Sequence, residues 1–139
     1  MPRISIKAIA IAFCAEFAAD LVSQTMLLHF FARGMGASDM STEQMLKLQQ
    51  VVFDTTDFVP WAMVLGTATT VGGGYLAARI AQRIPYYHGL AMGITGILFI
   101  LLTWRGDTDW MFWLGLLSTI PAALYGSHLA KRHMPVESV

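Results

Sequence analysis

Four stretches of the chain, about residues 8–31, 58–81, 87–104 and 110–130, stay apolar over roughly the ~20 residues that a helix needs to cross a ~30 Å hydrocarbon layer. That length is the tightest constraint on the fold. In lipid a backbone must satisfy its own hydrogen bonds, and a helix does so within one segment. The expected fold is therefore all-α, an integral membrane four-helix bundle forming a single domain over residues 1–139. Composition agrees, because 13% of the residues are charged, about half the share found in soluble domains. Nine basic and nine acidic side chains cancel, leaving no global field to draw nucleic acid or an acidic ligand. The single cysteine, Cys14, excludes an internal disulfide and multi-cysteine zinc motifs. In apolar surroundings it is expected to be inert.

Arg3 and Lys7 ahead of an apolar run look like the start of a signal peptide. Glu16 and Asp20 then fall where its cleavage region would lie, and apolar character resumes at MLLHFF. The segment reads as a retained helix. The second segment opens with the cap candidate Asp57 and carries Pro60 in its first turn, where no backbone donor is missed.

The basic residues sort by side. Arg3, Lys7, Arg79, Arg83, Lys131 and Arg132 fall on one face of a four-span chain. Arg33, Lys47 and Arg105 fall on the other, with Asp39, Glu43, Asp54, Asp57, Asp107 and Asp109. The positive-inside rule then puts both termini in the cytoplasm. Aromatic belts agree, with Phe30, Phe31, Trp61, Trp104, Trp110 and Trp113 outside and Tyr86, Tyr87 and Tyr125 inside. In the long first loop, residues 41–53 (STEQMLKLQQVVF) read as a short amphipathic helix. Ser41 and Gln44 form a capping box, while Met45, Leu48 and Val52 share a face. It is expected flat on the outer interface, as a connector on lipid headgroups, a lid or a partner-docking surface.

Helices in lipid gain little from hydrophobicity when they associate, so close packing needs small residues. The second span offers Ala62, Gly66, Thr70, Gly74 and Ala78; the third offers Gly89, Gly93 and Gly96. The fourth has Gly115, Thr119, Ala122, Gly126 and Ala130. Helix packing is thus expected at Gly66, Gly74, Gly89, Gly93 and Gly126. At GGGYLAARIAQRIPYYHG, residues 72–89, the chain resembles small four-span bacterial inner-membrane proteins of uncharacterised function. Their pattern is a Gly-Gly-Tyr-x-Ala-x-Arg helix end, a basic turn and a His-Gly start to the next span. The resemblance implies a bacterial inner (cytoplasmic) membrane location and no activity, and it does not include the first span.

The first span carries the chemistry that needs explaining. Ala8 and Ala12 start a four-residue stripe that continues into Glu16, Asp20 and Gln24. A carboxylate at mid-bilayer costs about 2.5–3.5 kcal/mol on insertion scales, so the pair requires a partner, water or protonation. Counting ~1.5 Å per residue from Ala8 puts Asp20 about 18 Å deep, near the midplane. Thr69, Thr70, Ser118, Thr119 and Pro121 reach a similar depth, with Thr95 not far off. Pro121 frees the Leu117 carbonyl, and Tyr75 falls near the level of Glu16. The expected polar core is Glu16, Asp20, Gln24, Thr70, Tyr75 and Thr119.

No lysine or arginine shares that depth, which leaves three readings. The layer lines a hydrated cavity for protons, a cation or a compact cationic substrate. Alternatively, Glu16 or Asp20 meets a basic residue of a partner membrane subunit. In the third reading both acids are protonated and fix helix register through the hydroxyls. Other chemistry is thin. His29 with Asp54, Asp57, Asp107 and Asp109 is a candidate metal group, and His88 with His128 a candidate haem pair. Solvated loops and capping histidines are the simpler readings, so no metal and no cofactor are expected. VGGGY lacks the lysine and the strand of a phosphate loop, and no serine-nucleophile elbow or zinc-protease helix is present. The chain reads as a transport-like protein rather than an enzyme. Its partners are the bilayer and either further copies of itself or a companion subunit, with no nucleic acid.

The topology is testable by labelling. Cysteines placed at Ser38 and Thr108 should react with a membrane-impermeant thiol reagent in intact cells, and one at Gln82 should not. Labelling of Gln82 alone would invert the orientation.

Overall fold

The computed structural model describes residues 4–34, 44, 47, 51, 57–103 and 110–134. Among them are four helices and no strand: α1 Ile6–Gly34, α2 Phe58–Ala81, α3 Pro85–Thr103 and α4 Trp110–Arg132. The all-helical expectation holds, with element ends within a few residues of the apolar segments. Of the segment 41–53, Gln44, Lys47 and Val51 are helical and exposed. The rest of that expected interfacial helix lies outside the described residues.

Local chemistry sets the helix ends. Ser5 Oγ accepts the Ala8 N–H at 3.2 Å and caps α1. Asp57 makes no side-chain cap bond to α2, contrary to expectation. Its backbone is already helical, at φ −90 and ψ −24, whereas a capping residue needs extended backbone to aim its oxygen at the free donors. Gln82 closes α2 in the left-handed region at φ 52, its N–H on the Ala78 carbonyl at 3.1 Å. Ile84, at φ 42, then leads into Pro85 as the first residue of α3.

The helices alternate in direction. The Ser5 N–H at the start of α1 reaches His88 at the start of α3. Arg79 near the end of α2 donates to the His133 carbonyl beyond α4 at 2.9 Å. At the opposite end Phe31 of α1 meets Phe58 of α2, ring centroids 5.6 Å apart. The end holding Ser5, Ala81, Pro85 and Arg132 is called basal below, and the other distal.

Backbones approach closely in the basal half. A Cβ added at Gly74 would strike the Ala123 backbone, and one at Gly126 the Val71 carbonyl, so α2 and α4 cross there. α3 meets α4 with Gly89 against Ser127 and Gly93 against the Ile120 backbone. The ladder Ala62, Gly66, Thr70, Gly74, Ala78 is not a single face, which corrects the expectation for α2. At 3.6 residues per turn a four-residue step drifts about 40° around the axis. The ladder therefore winds from α1, beside Gly66, to α4, beside Gly74 and Ala78. α1 packs on α2 and lightly on α3, and its backbone makes no close approach to that of α4.

The outer faces stay apolar. Leu21, Met26, Phe30, Trp61, Leu98, Leu102, Trp110 and Leu117 are each more than half exposed. Among the described residues one helix, α3, is by length and composition apolar enough to cross a membrane.

Gly72, by contrast with Gly74, is exposed, and a Cβ there meets nothing within 4 Å. Gly74→Leu should therefore lower thermal stability in mild detergent by overpacking, on the order of 1–3 kcal/mol or more. Gly72→Leu should be neutral or slightly stabilising, since glycine costs a helix about 1 kcal/mol relative to alanine. Equal losses from both would contradict the α2–α4 crossing.

Candidate functional site

The stripe on α1 faces inward. Ala8 and Ala12 are fully buried, and each further turn of α1 meets the preceding turn of antiparallel α2. Ala12 packs with Ala77, Glu16 lies over Gly73, and Asp20 sits beside Gly66 and Thr69. Gln24 Nε2 donates to the Ala62 carbonyl at 3.3 Å. Glycines make room for the acids. A Cβ at Gly73 would strike the Glu16 carboxylate, and one at Gly66 would come within 3.8 Å of Asp20 Oδ1. Gly66, expected between two helix backbones, is instead the ledge on which Asp20 rests. Gly73 escaped the sequence reading because three consecutive glycines gave no way to tell which faces α1.

Beyond Glu16, toward the distal end, a cleft of about 270 Å³ opens among all four helices. It occupies the gap between α1 and α4, and Gly66, Gly96 and Gly115 line it where larger side chains would fill it. Glu16 and Asp20, both half-buried, form one wall. Thr69 and Thr70 of α2 and Ser118 and Thr119 of α4 face them. Phe13, Phe17 and Phe99 complete the lining on the α1 and α3 sides. Phe99 meets both other rings edge-on with centroids 5.4 Å apart.

The structure thus brings Glu16, Asp20, Thr70 and Thr119 together and leaves Gln24 and Tyr75 out. Tyr75 follows Gly73 by two residues, about 200° around the helix, and packs with Ala78, Ala130 and Met134 against the His133 ring. The side-chain neighbour of Glu16 is the Thr70 hydroxyl instead. Thr95 does not line the cleft and bonds the Ala91 carbonyl at 2.8 Å. Pro121 and Leu117 are exposed on the outer face of α4, away from the polar layer.

Of the five hydroxyls on the lining, Thr67, Thr69, Thr70, Ser118 and Thr119, the last four each have a helix carbonyl in reach. Thr69 and Thr70 donate to the Gly66 carbonyl at 2.8 and 3.0 Å. Ser118 and Thr119 both donate to the Gly115 carbonyl at 2.9 Å. A hydroxyl has one proton and two lone pairs, so the proton of Thr70 is shared between the Gly66 carbonyl and Glu16, while Ser118 and Thr119 spend theirs on Gly115. Asp20 Oδ1 lies 3.4 Å from Thr69 Oγ1, a longer contact competing for the same proton. Among the described residues no lysine, arginine or histidine lines the cleft. Its polar surface is led by the two carboxylates, with the hydroxyls of Thr67, Thr69 and Thr70 as the neutral donors beside them.

The histidines do other work. His88, 1% exposed, accepts the Ser5 N–H on Nε2 at 2.9 Å and faces the Ile84 carbonyl with Nδ1 at 3.2 Å. This is the arrangement of a neutral ring with its proton on Nδ1, and it ties the start of α1 to the start of α3. The role of Ser5 and His88 as this tie was missed. A serine at a helix start was the available signal. His128 Nδ1 pairs with the Tyr86 hydroxyl at 2.8 Å, so the two histidines serve separate partners. Among the described residues no three His, Cys, Asp or Glu side chains gather as a metal group. Asp54, Asp107 and Asp109 lie outside those residues.

Comparison with protein-family models, with curated proteins and with solved structures finds no match to this chain.

The seating of Glu16 on Gly73 can be measured with a double-mutant cycle. Gly73→Ala should destabilise the bundle, and Glu16→Ala should relieve part of that loss. The expected coupling is on the order of 1 kcal/mol. Strict additivity in denaturation of the four proteins would separate the two residues.

Proposed function

We propose that the chain is a multi-pass protein of a bacterial inner membrane, with both termini cytoplasmic, whose cleft handles protons or cations. Membrane embedding is supported by the apolar outer faces of all four helices, since soluble monomers seldom expose such continuous apolar surface. Orientation is supported by Lys7, Arg79, Arg83, Lys131 and Arg132 gathering at the basal end. The resemblance at residues 72–89 supplies the bacterial location.

One observation carries the function. Two carboxylates open into a cleft on which, among the described residues, no lysine, arginine or histidine lies. They lie close enough to repel each other. A cation or proton arriving there would replace repulsion with attraction, whereas an anion would add to it. Because both kinds of positive charge compete for the same oxygens, binding of one is linked to release of the other. A single bundle of four helices is narrow, and a homo-oligomer would complete a path across the bilayer. The uncompensated acids also favour a second reading, in which a basic residue of a companion membrane subunit fills the cleft.

Asp20→Asn separates these readings, since it keeps size and hydrogen bonding but removes the charge. Cation handling predicts a folded variant that has lost pH-dependent proton or cation flux in proteoliposomes. The companion-subunit reading predicts a folded variant that no longer co-purifies its partner. Wild-type vesicles that pass neither protons nor cations would sink the transport reading.

A further inference from the structure

We infer that the cleft takes a compact organic ammonium ion, its N–H donors on Glu16 and Asp20 and its apolar body against Phe13, Phe17 and Phe99. The inference rests on the cation reading above and narrows it to one chemical class. The first argument is polarity. Both carboxylates accept hydrogen bonds, and the hydroxyls nearest them, Thr70 at Glu16 and Thr69 at Asp20, share their protons with the Gly66 carbonyl. These neutral, shared donors leave most of the carboxylates' acceptor capacity open, and a primary ammonium brings three charged donors to it.

The second argument is size, and it is independent of the acids because glycines on α2, α3 and α4 create the void. About 270 Å³ is open. A cavity of about 150 Å³ already admits benzene, and drug-sized ligands occupy upward of ~300 Å³. The space suits one ring with a short chain and far exceeds a bare ion. The third argument is the wall. Three aromatic rings with Met63 would solvate a hydrated metal ion poorly, whereas aromatic rings attract organic cations. Recognition by this lining therefore needs a positive charge, N–H donors and an apolar body in one small molecule.

The test is calorimetric titration of the full chain in lipid nanodiscs with benzylammonium. Two controls each remove one feature: benzyltrimethylammonium keeps the charge without N–H donors, and benzyl alcohol keeps the body without charge. Benzylammonium should bind at least tenfold more tightly than either. Gly115→Leu is the blocking variant, because a Cβ there meets nothing within 4 Å and the side chain has the cleft to enter. It should fold with an unchanged or higher melting temperature and lose at least tenfold in affinity. Asp20→Asn should lose as much, and Phe99→Leu severalfold. Equal affinity for benzylammonium and benzyl alcohol, or full binding by Gly115→Leu, would overturn the inference. Absent benzylammonium binding with Asp20-dependent proton or sodium flux intact would overturn it while leaving the cation reading standing. Loss of both would remove both.

Discussion

Helix α2 has three neighbours to satisfy, and the rest of the bundle follows from how its small residues wind around its axis. Gly66, Gly73 and Ala77 turn toward α1, while Gly74 and Ala78 turn toward α4. Backbone-to-backbone approach at Gly74 and Gly126 draws α4 in so far that no side chain fits between. That approach relies on dispersion between close surfaces, and it operates equally well when the surroundings are as apolar as the helices. Adjacent residues of α2 point about 100° apart, so α1 and α4 flank α2 at that angle and leave a gap between their backbones.

The consequence is an asymmetric bundle. Its basal half is closed by Gly74, Gly89, Gly93 and Gly126. It is tied further by His88 to Ser5, by Arg79 to His133 and by Ser127 to the Gly74 carbonyl. Beyond Gly93 the small residues Gly96 and Gly115 have no backbone of a neighbour within reach, and the space becomes the cleft. The same residue type thus does two opposite things. Glycine facing a backbone brings helices together, and glycine facing a gap leaves a void.

What fills that gap chemically is decided by hydroxyl orientation. Serine and threonine in helices commonly donate to a carbonyl one turn back. Here that habit makes Thr69 and Thr70 share their protons between the Gly66 carbonyl and the carboxylates, and turns Ser118 and Thr119 to Gly115. Every buried side-chain nitrogen and oxygen among the described residues nonetheless has a partner. The acids escape the cost of burial by being half open to the cleft, which is also what makes them accessible to a ligand.

The sequence alone determined the helices, because element length and apolar content are local properties that survive any packing. It also determined that Ala8, Ala12, Glu16 and Asp20 face inward, since a four-residue period keeps one side of a helix over a few turns. Over the longer run of α2 the same reasoning failed, as a drift of about 40° per step accumulates until the ladder serves two neighbours. Tertiary structure decided which glycines pack, that Gly73 seats Glu16, and that Tyr75 belongs to α4 rather than to the acids. Depth along a helix could be counted from the sequence, which is why Thr69, Thr70, Ser118 and Thr119 were found with Asp20. Rotation about the axis could not, which is why Pro121 and Tyr75 were misplaced. Azimuth depends on where the neighbouring helices stand, and that is settled by contacts between residues far apart in the chain.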